Sequence, residues 1–305
     1  MRILVVINNR AGGGGDGALY AFIRALGASG AEVTLRFSDQ DNAVESLLGD
    51  AAQFDRVVSA GGDGTAGAIA YALRDSGVPL MIYPAGTANL LALNLNMPFE
   101  PRTLAHALIE GVTLDFDLGE IEQPSEDGVG VTRQGFTVVA GAGYDAAIME
   151  TAQPLKSAFG AAAYLMAAVS NMTPTTARFE LELDGTPMTT DGIAVLLVNF
   201  GKLQFDVPVA RGASPRDGLL DIAVVRPRSV AGLLPAVMSN LFDPRVDSPT
   251  PGVDMYTASQ ITLRSDPPLR MQYDGEVATS LTPFAARVLP GAAKLVLPSD
   301  SPYLR

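Results

Sequence analysis

Short apolar runs alternate with helically spaced apolar positions along the first third of the chain. Four runs have the pattern of strands, and the first of them is wholly apolar, as in a parallel strand covered on both faces: 3–7, 32–37, 56–59 and 79–83. Helices are expected between and after these runs, at 17–28, 41–52, 65–76, 87–96 and 101–110. Strand, loop and helix repeated in this order predict an α/β domain with a doubly wound, mainly parallel sheet.

Strand patterns dominate after about residue 118. They occupy residues 136–140, 178–183, 193–198, 219–225, 261–263 and 269–273. Asp184 and Gly185 predict a hairpin turn, and two helical stretches, 158–170 and 230–241, interrupt the strands. We therefore expect a first domain over residues 1–117 and a β-rich, mainly antiparallel α+β domain over residues 118–305. A return of the C-terminal segment to the first domain is left open.

Composition excludes several kinds of chemistry. The chain has 305 residues and no cysteine, so disulfides, thiolate metal sites and cysteine nucleophiles are excluded. Its one histidine, His106, rules out a multi-histidine zinc site, and a lone histidine on a predicted helix is usually a surface or hydrogen-bonded residue. The net charge of −12 argues against nucleic-acid binding and against simple electrostatic adhesion to an anionic membrane.

The sequence contains no pattern typical of a signal peptide or a membrane span. The apolar run at 3–7 is too short for a signal core, and Pro174 interrupts the uncharged run at 157–177. We expect a cytoplasmic protein, and peripheral contact with the inner face of the membrane is left open.

A glycine-rich loop, GGDGT at residues 61–65, lies between a predicted strand and a predicted helix, where phosphate groups bind in α/β proteins. Glycines let backbone N–H groups approach phosphate oxygens, and Thr65 can cap the helix. Because no lysine follows, this is not a Walker A loop. Asp63 would repel a bare phosphate but could serve one through Mg²⁺. An ordinary tight turn is the alternative for this loop taken alone.

Two further loops follow strands at the same predicted sheet edge. Gly86 permits close backbone approach in the second loop, and Thr87 and Asn89 offer polar groups where a helix begins. Asn8 ends the first strand, beside the glycine-rich segment 12–15. Three such loops on one edge favour a nucleotide site over three unrelated turns.

Four motifs, in order, resemble those of the diacylglycerol kinase catalytic-domain family, which includes bacterial lipid kinases and the sphingosine and ceramide kinases. They are GGDGT at 61–65, GTAN at 86–89, DGLLD at 217–221 and DGE at 274–276. The resemblance implies a lipid kinase that uses ATP and Mg²⁺. The expected acceptor is diacylglycerol, with ceramide or a sphingoid base next, at a membrane surface and without nucleic acid. A homodimer is left open.

The resemblance also assigns roles to residues. It implies that ATP is held by Asn8, Gly12, Ser38, Gly61, Gly62, Asp63, Gly64, Thr65, Gly86, Thr87 and Asn89. Asp274 would be the general base for the lipid hydroxyl, and Glu276 and Asp63 would help to hold the catalytic Mg²⁺. Asp217 matches a structural Mg²⁺ site that also uses backbone carbonyls near Ser214 and Leu219.

The residues themselves leave alternatives open for the two later motifs. Asp274 follows a predicted strand and precedes Gly275, so a sharp loop can present it, and two carboxylates separated by one residue can divide base and metal-binding roles. A hairpin turn with solvated acids is the alternative. Asp217 could likewise serve only to begin the strand at 219–225, without a role in metal binding.

The chain departs from the family pattern at three places. Residues 8–12 read NNRAG, Leu90 stands where many members have aspartate, and residues 200–205 lack a run of glycines. Two other functions stay open. One is a kinase of a soluble acceptor, since NAD kinases share the GGDG signature. The other is a non-catalytic regulator that binds nucleotide or lipid.

Overall fold

The computed structural model describes residues 1–8, 16–38, 44–125, 130–143, 175–201, 213–226 and 252–304. The chain divides into two compact units. The first contains Met1–Leu118 and Pro290–Arg305, and the second contains Gly119–Leu289. The C-terminal segment therefore belongs with the first unit. Gly12 and the helices expected at 158–170 and 230–241 lie outside the described residues.

The first unit is built on a parallel sheet. Its strands are β1 (Arg2–Asn8), β2 (Glu32–Ser38), β3 (Arg56–Gly61), β4 (Leu80–Pro84) and the C-terminal part of β16 (Phe284–Leu297), in the order β2-β1-β3-β4-β16. Every neighbouring pair in this row is parallel. Central β1 is apolar because both of its faces are covered, and Ile3, Leu4, Val5 and Val6 have no exposed surface. The predicted mainly parallel sheet is confirmed.

The described residues of this unit form four α-helices: α1 (Asp16–Ala28), α2 (Asp63–Ala72), α3 (Leu90–Asn94) and α4 (Pro101–Glu110). On α1, Phe22 and Leu26 are fully buried, as their helical spacing predicts. The Glu100 side chain caps α4 by accepting hydrogen bonds from the N–H groups of Arg102 and Thr103. His106 lies exposed on that helix.

Three predicted helices were wrong in kind or in bounds. Residues 44–53 form two 3₁₀ turns, Val44–Leu47 and Ala51–Gln53, in place of the α-helix expected at 41–52. Arg36 donates hydrogen bonds to the Leu47 carbonyl and to the Asp50 carboxylate, which diverts that carbonyl from a helical ladder. Helix α2 begins two residues before Thr65, and α3 begins three residues after Thr87.

The described residues of the second unit form mainly antiparallel sheet. Its strands are β5 (Val112–Pro124), β6 (Val131–Phe136), β7 (Val139–Gly143), β8 (Ala177–Leu183), β9 (Thr186–Gly192), β10 (Ala194–Val198), β11 (Leu220–Val225), β12 (Val253–Ala258), β13 (Gln260–Asp266), β14 (Arg270–Tyr273), β15 (Glu276–Leu281) and the N-terminal part of β16. Strands β5 and β16 each begin in one unit and end in the other.

Two sheets enclose the core of this unit. One has the order β12-β11-β10-β7-β14-β15, and the other contains β16-β13-β8-β9. The core between them takes apolar side chains from both, including Leu197 and Met271 from the first and Phe179 and Leu263 from the second. The predicted antiparallel domain is confirmed, as is the hairpin at Asp184 and Gly185, which joins β8 to β9.

The single strand expected at 136–140 was wrong. The chain ends β6 at Phe136 and begins β7 at Val139, so Thr137 and Val138 lie in the break between two strands. Six strands of the described residues were not predicted: β5, β6 apart from Phe136, β9, β12, β15 and β16. Among the residues described, no helix is long and apolar enough to cross a membrane.

Candidate active site

The carboxyl ends of the parallel strands gather the candidate nucleotide-binding residues at one edge of the first unit. The register of β1 places Asn8 opposite Ser38 on β2, and the register of β3 places Gly61 opposite Pro84 on β4. Ser38 is buried. The loops that follow β3 and β4 therefore start side by side, where ligands bind in parallel α/β sheets.

One glycine in each of these two loops occupies a position where a side chain would collide with its surroundings. A Cβ atom added to Gly86 would lie 2.6 Å from the Cα of Gly62. One added to Gly61 would lie 2.6 Å from the Cβ of Thr65. Both distances are shorter than atoms tolerate. Gly86 therefore lets the two loops pack backbone to backbone, and Gly61 leaves room for the Thr65 side chain within the first loop.

The substitution Gly86→Ala should force the two loops apart, because the new methyl group would meet backbone that cannot rotate away. We expect a loss of about 1–3 kcal/mol in the free energy of unfolding, as for other overpacked sites. The affinity for ATP should also fall. Calorimetric titration with ATP and thermal melting measure the two effects.

Gly27→Ala is the matched control, since an added Cβ at that position on α1 meets no atom within 4 Å. It should keep wild-type ATP affinity and equal or higher stability. Wild-type ATP affinity in Gly86→Ala would contradict the role given to this loop contact.

The amino end of α2 opens onto the same edge. Asn8 Nδ2 donates a hydrogen bond of 2.7 Å to Thr65 Oγ1, which ties the end of β1 to the first turn of α2. The N-cap residue is Gly62, and among the described residues no side chain caps the helix, so the expectation that Thr65 caps it was wrong. The first N–H groups of a helix and its dipole attract anions, which makes this end suited to phosphate.

Asp63 connects the two loops. Its buried carboxylate accepts a 2.9 Å hydrogen bond through Oδ1 from the N–H of Leu91, in the first turn of α3. The negative charge lies in the first turn of α2, where the helix dipole favours it. Leu90, at the family's aspartate position, is buried and contributes to the core.

Asn89 shapes the second loop. Its backbone is left-handed, with φ of 51°. Its Oδ1 accepts a 2.7 Å bond from the N–H of Gly86, and its Nδ2 donates a 2.8 Å bond to the Gly86 carbonyl. Both polar atoms of the side chain therefore hold the loop itself. Thr87, at the tip of the same loop, is exposed.

Asp274 lies in the turn between β14 and β15 of the second unit, where it and Gly275 both have positive φ, 45° and 86°. Its carboxylate is buried and accepts four hydrogen bonds from the break between β6 and β7. Oδ2 accepts from the N–H of Thr137 at 2.6 Å and from its hydroxyl at 2.8 Å. Oδ1 accepts from the N–H groups of Val138 and Val139 at 2.8 and 3.1 Å.

Burial raises the pKa of Asp274 from 3.8 to about 6, although the hydrogen bonds from Thr137, Val138 and Val139 act in the opposite direction. The carboxyl group is therefore ionised at neutral pH and can accept a proton. Glu276 begins β15 on the same hairpin, with its side chain exposed. The solvated-turn alternative does not apply to Asp274, since that residue is buried.

Sequence reasoning missed Thr137 and Asn199, the two buried polar residues behind Asp274. Asn199 Nδ2 donates a 2.8 Å bond to the Thr137 carbonyl, and the Asn199 N–H donates a 2.9 Å bond to the Val138 carbonyl. The one available signal was a lone amide side chain directly after the apolar strand β10.

The third motif forms a turn before β11. The Asp217 carboxylate accepts a 3.0 Å bond from the N–H of Leu219, and Gly218 has a φ of 75°. Asp217 is exposed, whereas Asp221 on β11 is half-buried, and burial followed by the charge of Asp217 raises the pKa of Asp221. Ser214 lies three residues before Asp217, outside any helix or strand.

The candidate carboxylates suit Mg²⁺ only where a bound ligand supplies further oxygen atoms. No group of three or more histidine or acidic side chains gathers to hold a metal within the described ranges. Mg²⁺ is commonly held by one or two carboxylates together with substrate phosphates. The Asp63 carboxylate, beside a helix end suited to phosphate, fits that arrangement.

Comparisons with known proteins give one family match in the first part of the chain and another in the second part. Residues 2–121 match the diacylglycerol kinase catalytic domain, and residues 137–297 match the YegS C-terminal NAD kinase beta sandwich-like domain. The chain is 30% identical over 298 residues to a Pseudomonas fluorescens protein named probable lipid kinase YegS-like, covering 93% of this chain and 92% of that protein.

Two solved structures share the fold. A diacylglycerol kinase from Bacillus anthracis matches with a TM-score of 0.76 and 20% identity, covering 100% of this chain and 98% of that one. Yeast NADH kinase, solved with NADH, matches with a TM-score of 0.53 and 12% identity over 97% of this chain and 82% of that one. These likenesses define the fold class, an α/β unit and a β-sandwich-like unit in one chain.

Within that class, the chain belongs to the diacylglycerol kinase catalytic-domain family, and it is a lipid kinase. Membership of a kinase family implies ATP as the co-substrate.

Proposed function

We propose that this enzyme transfers the γ-phosphate of ATP, with Mg²⁺, to the hydroxyl of a lipid, with diacylglycerol as the first acceptor to test and ceramide or a sphingoid base next. One observation carries the proposal. The 61–65 and 86–89 loops pack backbone to backbone at the amino end of α2, in a chain of this kinase family. Such an arrangement presents N–H groups to phosphate oxygens.

The first unit supplies the phosphate site. Asn8 holds Thr65 in place, Asn89 holds the second loop in shape, and the glycines leave room for phosphate oxygens. Mg²⁺ would be held by Asp63 together with the phosphates of ATP, and when bound it would neutralise the charge that develops on the transferred phosphate. Asp63 meanwhile keeps α3 attached to this loop through Leu91.

Asp274 takes the proton. The lipid hydroxyl oxygen forms a bond to the γ-phosphorus while the bond between that phosphorus and the β,γ-bridging oxygen breaks, and ADP leaves. The hydroxyl proton passes to the Asp274 carboxylate, which is ionised at neutral pH. General bases of this kind contribute roughly 10²- to 10⁴-fold to the rate.

The proposal of a lipid acceptor rests on the family and on the names that the relatives carry. The matched Bacillus anthracis protein is called a diacylglycerol kinase. The fold likeness to yeast NADH kinase favours a soluble dinucleotide as the second candidate. A lipid acceptor would be met at a membrane surface by peripheral contact.

An acceptor panel separates these candidates. ATP, Mg²⁺ and enzyme are incubated with diacylglycerol, monoacylglycerol, ceramide or sphingosine in mixed micelles, and with NAD in buffer alone. We expect a phosphorylated lipid and no phosphorylated NAD. Turnover of NAD without micelles would reverse the assignment, and ATP binding without transfer to any acceptor would favour a binding role.

Asp217 is proposed to hold a second, structural Mg²⁺ with carbonyls near Ser214 and Leu219. Two observations support this site. The Asp217 carboxylate accepts a hydrogen bond within the turn, and a cation bound there would offset the repulsion between the charges of Asp217 and Asp221. Mg²⁺ without ATP should therefore raise the melting temperature of the wild type and leave that of Asp217→Asn unchanged. An equal rise in both would contradict the site.

A further inference from the structure

The break between β6 and β7 has a geometry that the proposed reaction leaves unexplained. Peptide planes are rigid, and in a trans peptide the carbonyl and the N–H point in opposite directions. The plane joining Thr137 to Val138 directs its carbonyl to Asn199 Nδ2 and its N–H to Asp274 Oδ1. The next plane directs the Val138 carbonyl to the Asn199 N–H and the Val139 N–H to the same Asp274 oxygen.

Two consecutive peptide planes are thus held from both sides. Asn199 fixes their carbonyls, and this orientation aims their N–H groups at the carboxylate. The Asp274 backbone is tied to the same segment, since its N–H donates a 2.8 Å bond to the Val139 carbonyl. Asp274, Asn199 and the 137–139 segment form one buried hydrogen-bonded unit, which we call the aspartate cradle.

Thr137 differs from Val138 and Val139 because its side chain also donates a hydrogen bond to the carboxylate. Of the four donors to the carboxylate, three are backbone N–H groups, and the Thr137 hydroxyl is the one side-chain donor. It bonds the same oxygen as the Thr137 N–H, so the pair fixes Oδ2 while the other two donors fix Oδ1. A carboxylate held at both oxygens has one rotamer, which is what a general base needs when its target must be within hydrogen-bond reach.

We infer that Thr137 and Asn199 are positioning residues for Asp274: the Thr137 hydroxyl fixes the carboxylate directly, and Asn199 aims the backbone donors behind it. The inference rests on the proposed role of Asp274 as the base. Neither side chain touches ATP or lipid in this account, and each acts through Asp274.

The test is a comparison of Thr137→Val with Thr137→Ser. Valine keeps the shape of threonine and removes the hydroxyl, whereas serine keeps the hydroxyl. We expect kcat for lipid phosphorylation to fall about 10- to 100-fold in Thr137→Val, as for a misplaced catalytic group, with KM for ATP within about twofold of wild type. Thr137→Ser should recover kcat to within about threefold of the wild-type value.

Two results would overturn the inference. One is a wild-type kcat in Thr137→Val. The other is an equal loss of kcat in the valine and serine variants that follows their melting temperatures, since that pattern marks a packing effect.

Asn199→Ala gives a second arm, because it removes the amide that aims the two peptide planes and leaves Thr137 in place. Its kcat should fall while KM for ATP is kept, and an unchanged kcat would remove Asn199 from the proposal.

Asp274→Asn separates this inference from the proposed function. If that variant transfers phosphate normally, the base assignment fails; if it is inactive while Thr137→Val is normal, only the cradle inference fails.

Discussion

Asp274→Asn should abolish phosphate transfer and also lower the melting temperature. Loss of the base should reduce kcat by roughly 10²- to 10⁴-fold. The stability loss has a separate cause, since the cradle offers four donors and an asparagine side chain has one oxygen to accept them. Its NH₂ group would face donors, and each buried donor left unpaired costs about 1–3 kcal/mol.

A matched control separates the two losses. Asp184 also sits in an Asp-Gly hairpin turn with positive φ, 48°, and its carboxylate accepts hydrogen bonds from Ser259 and Gln260. Asp184→Asn should lower stability and leave kcat unchanged. ATP affinity by calorimetry then shows that each variant keeps a folded nucleotide site. Normal transfer by Asp274→Asn would remove that residue as the base.

Asp63→Asn should remove activity with little change in stability. The asparagine oxygen can still accept the bond from the Leu91 N–H, now 2.9 Å to Oδ1, so the attachment of α3 is retained. What disappears is the negative charge proposed to hold Mg²⁺, and we expect kcat to fall by at least about 100-fold, since charge neutralisation is central to phosphoryl transfer.

Asp63→Ala makes this prediction more specific. Alanine loses both the charge and the bond to Leu91, so the melting temperature should fall in this variant and not in Asp63→Asn. Kinetic assays over a range of Mg²⁺ concentrations, run beside thermal melts, test both statements. Full activity of Asp63→Asn at low Mg²⁺ would show that another group holds the metal.

The sequence predicted the strands of the α/β half better than its helices, because local patterns determine those strands. Short apolar strands such as β1 and β3, each followed by a glycine-bearing loop, indicate a parallel sheet without knowledge of distant contacts. Two of the strands missed in the second half, β9 and β15, are edge strands with one polar face. Each pairs with the strand just before it in a hairpin, β9 with β8 and β15 with β14, and the weak alternation of apolar and polar residues in these strands does not show it.

The sequence identified the candidate site residues but not the hydrogen bonds that they make. Asn89 appeared as a ligand-binding residue, whereas both polar atoms of its side chain bond the loop at Gly86. The cradle joins Thr137, Asn199 and Asp274, residues that lie 62 and 137 positions apart along the chain. No local pattern signals bonds across such separations, and the strand break at Thr137 was hidden within an apolar run.

The most direct test of the account is transfer of label from ATP carrying ³²P at the γ-position to diacylglycerol in mixed micelles with Mg²⁺. The account predicts that label enters the organic phase as a phosphorylated lipid with the wild-type enzyme, and that chelation of Mg²⁺ or the Asp274→Asn substitution stops it. Label that stays in the aqueous phase for every lipid acceptor, from an enzyme that still binds ATP, would contradict it.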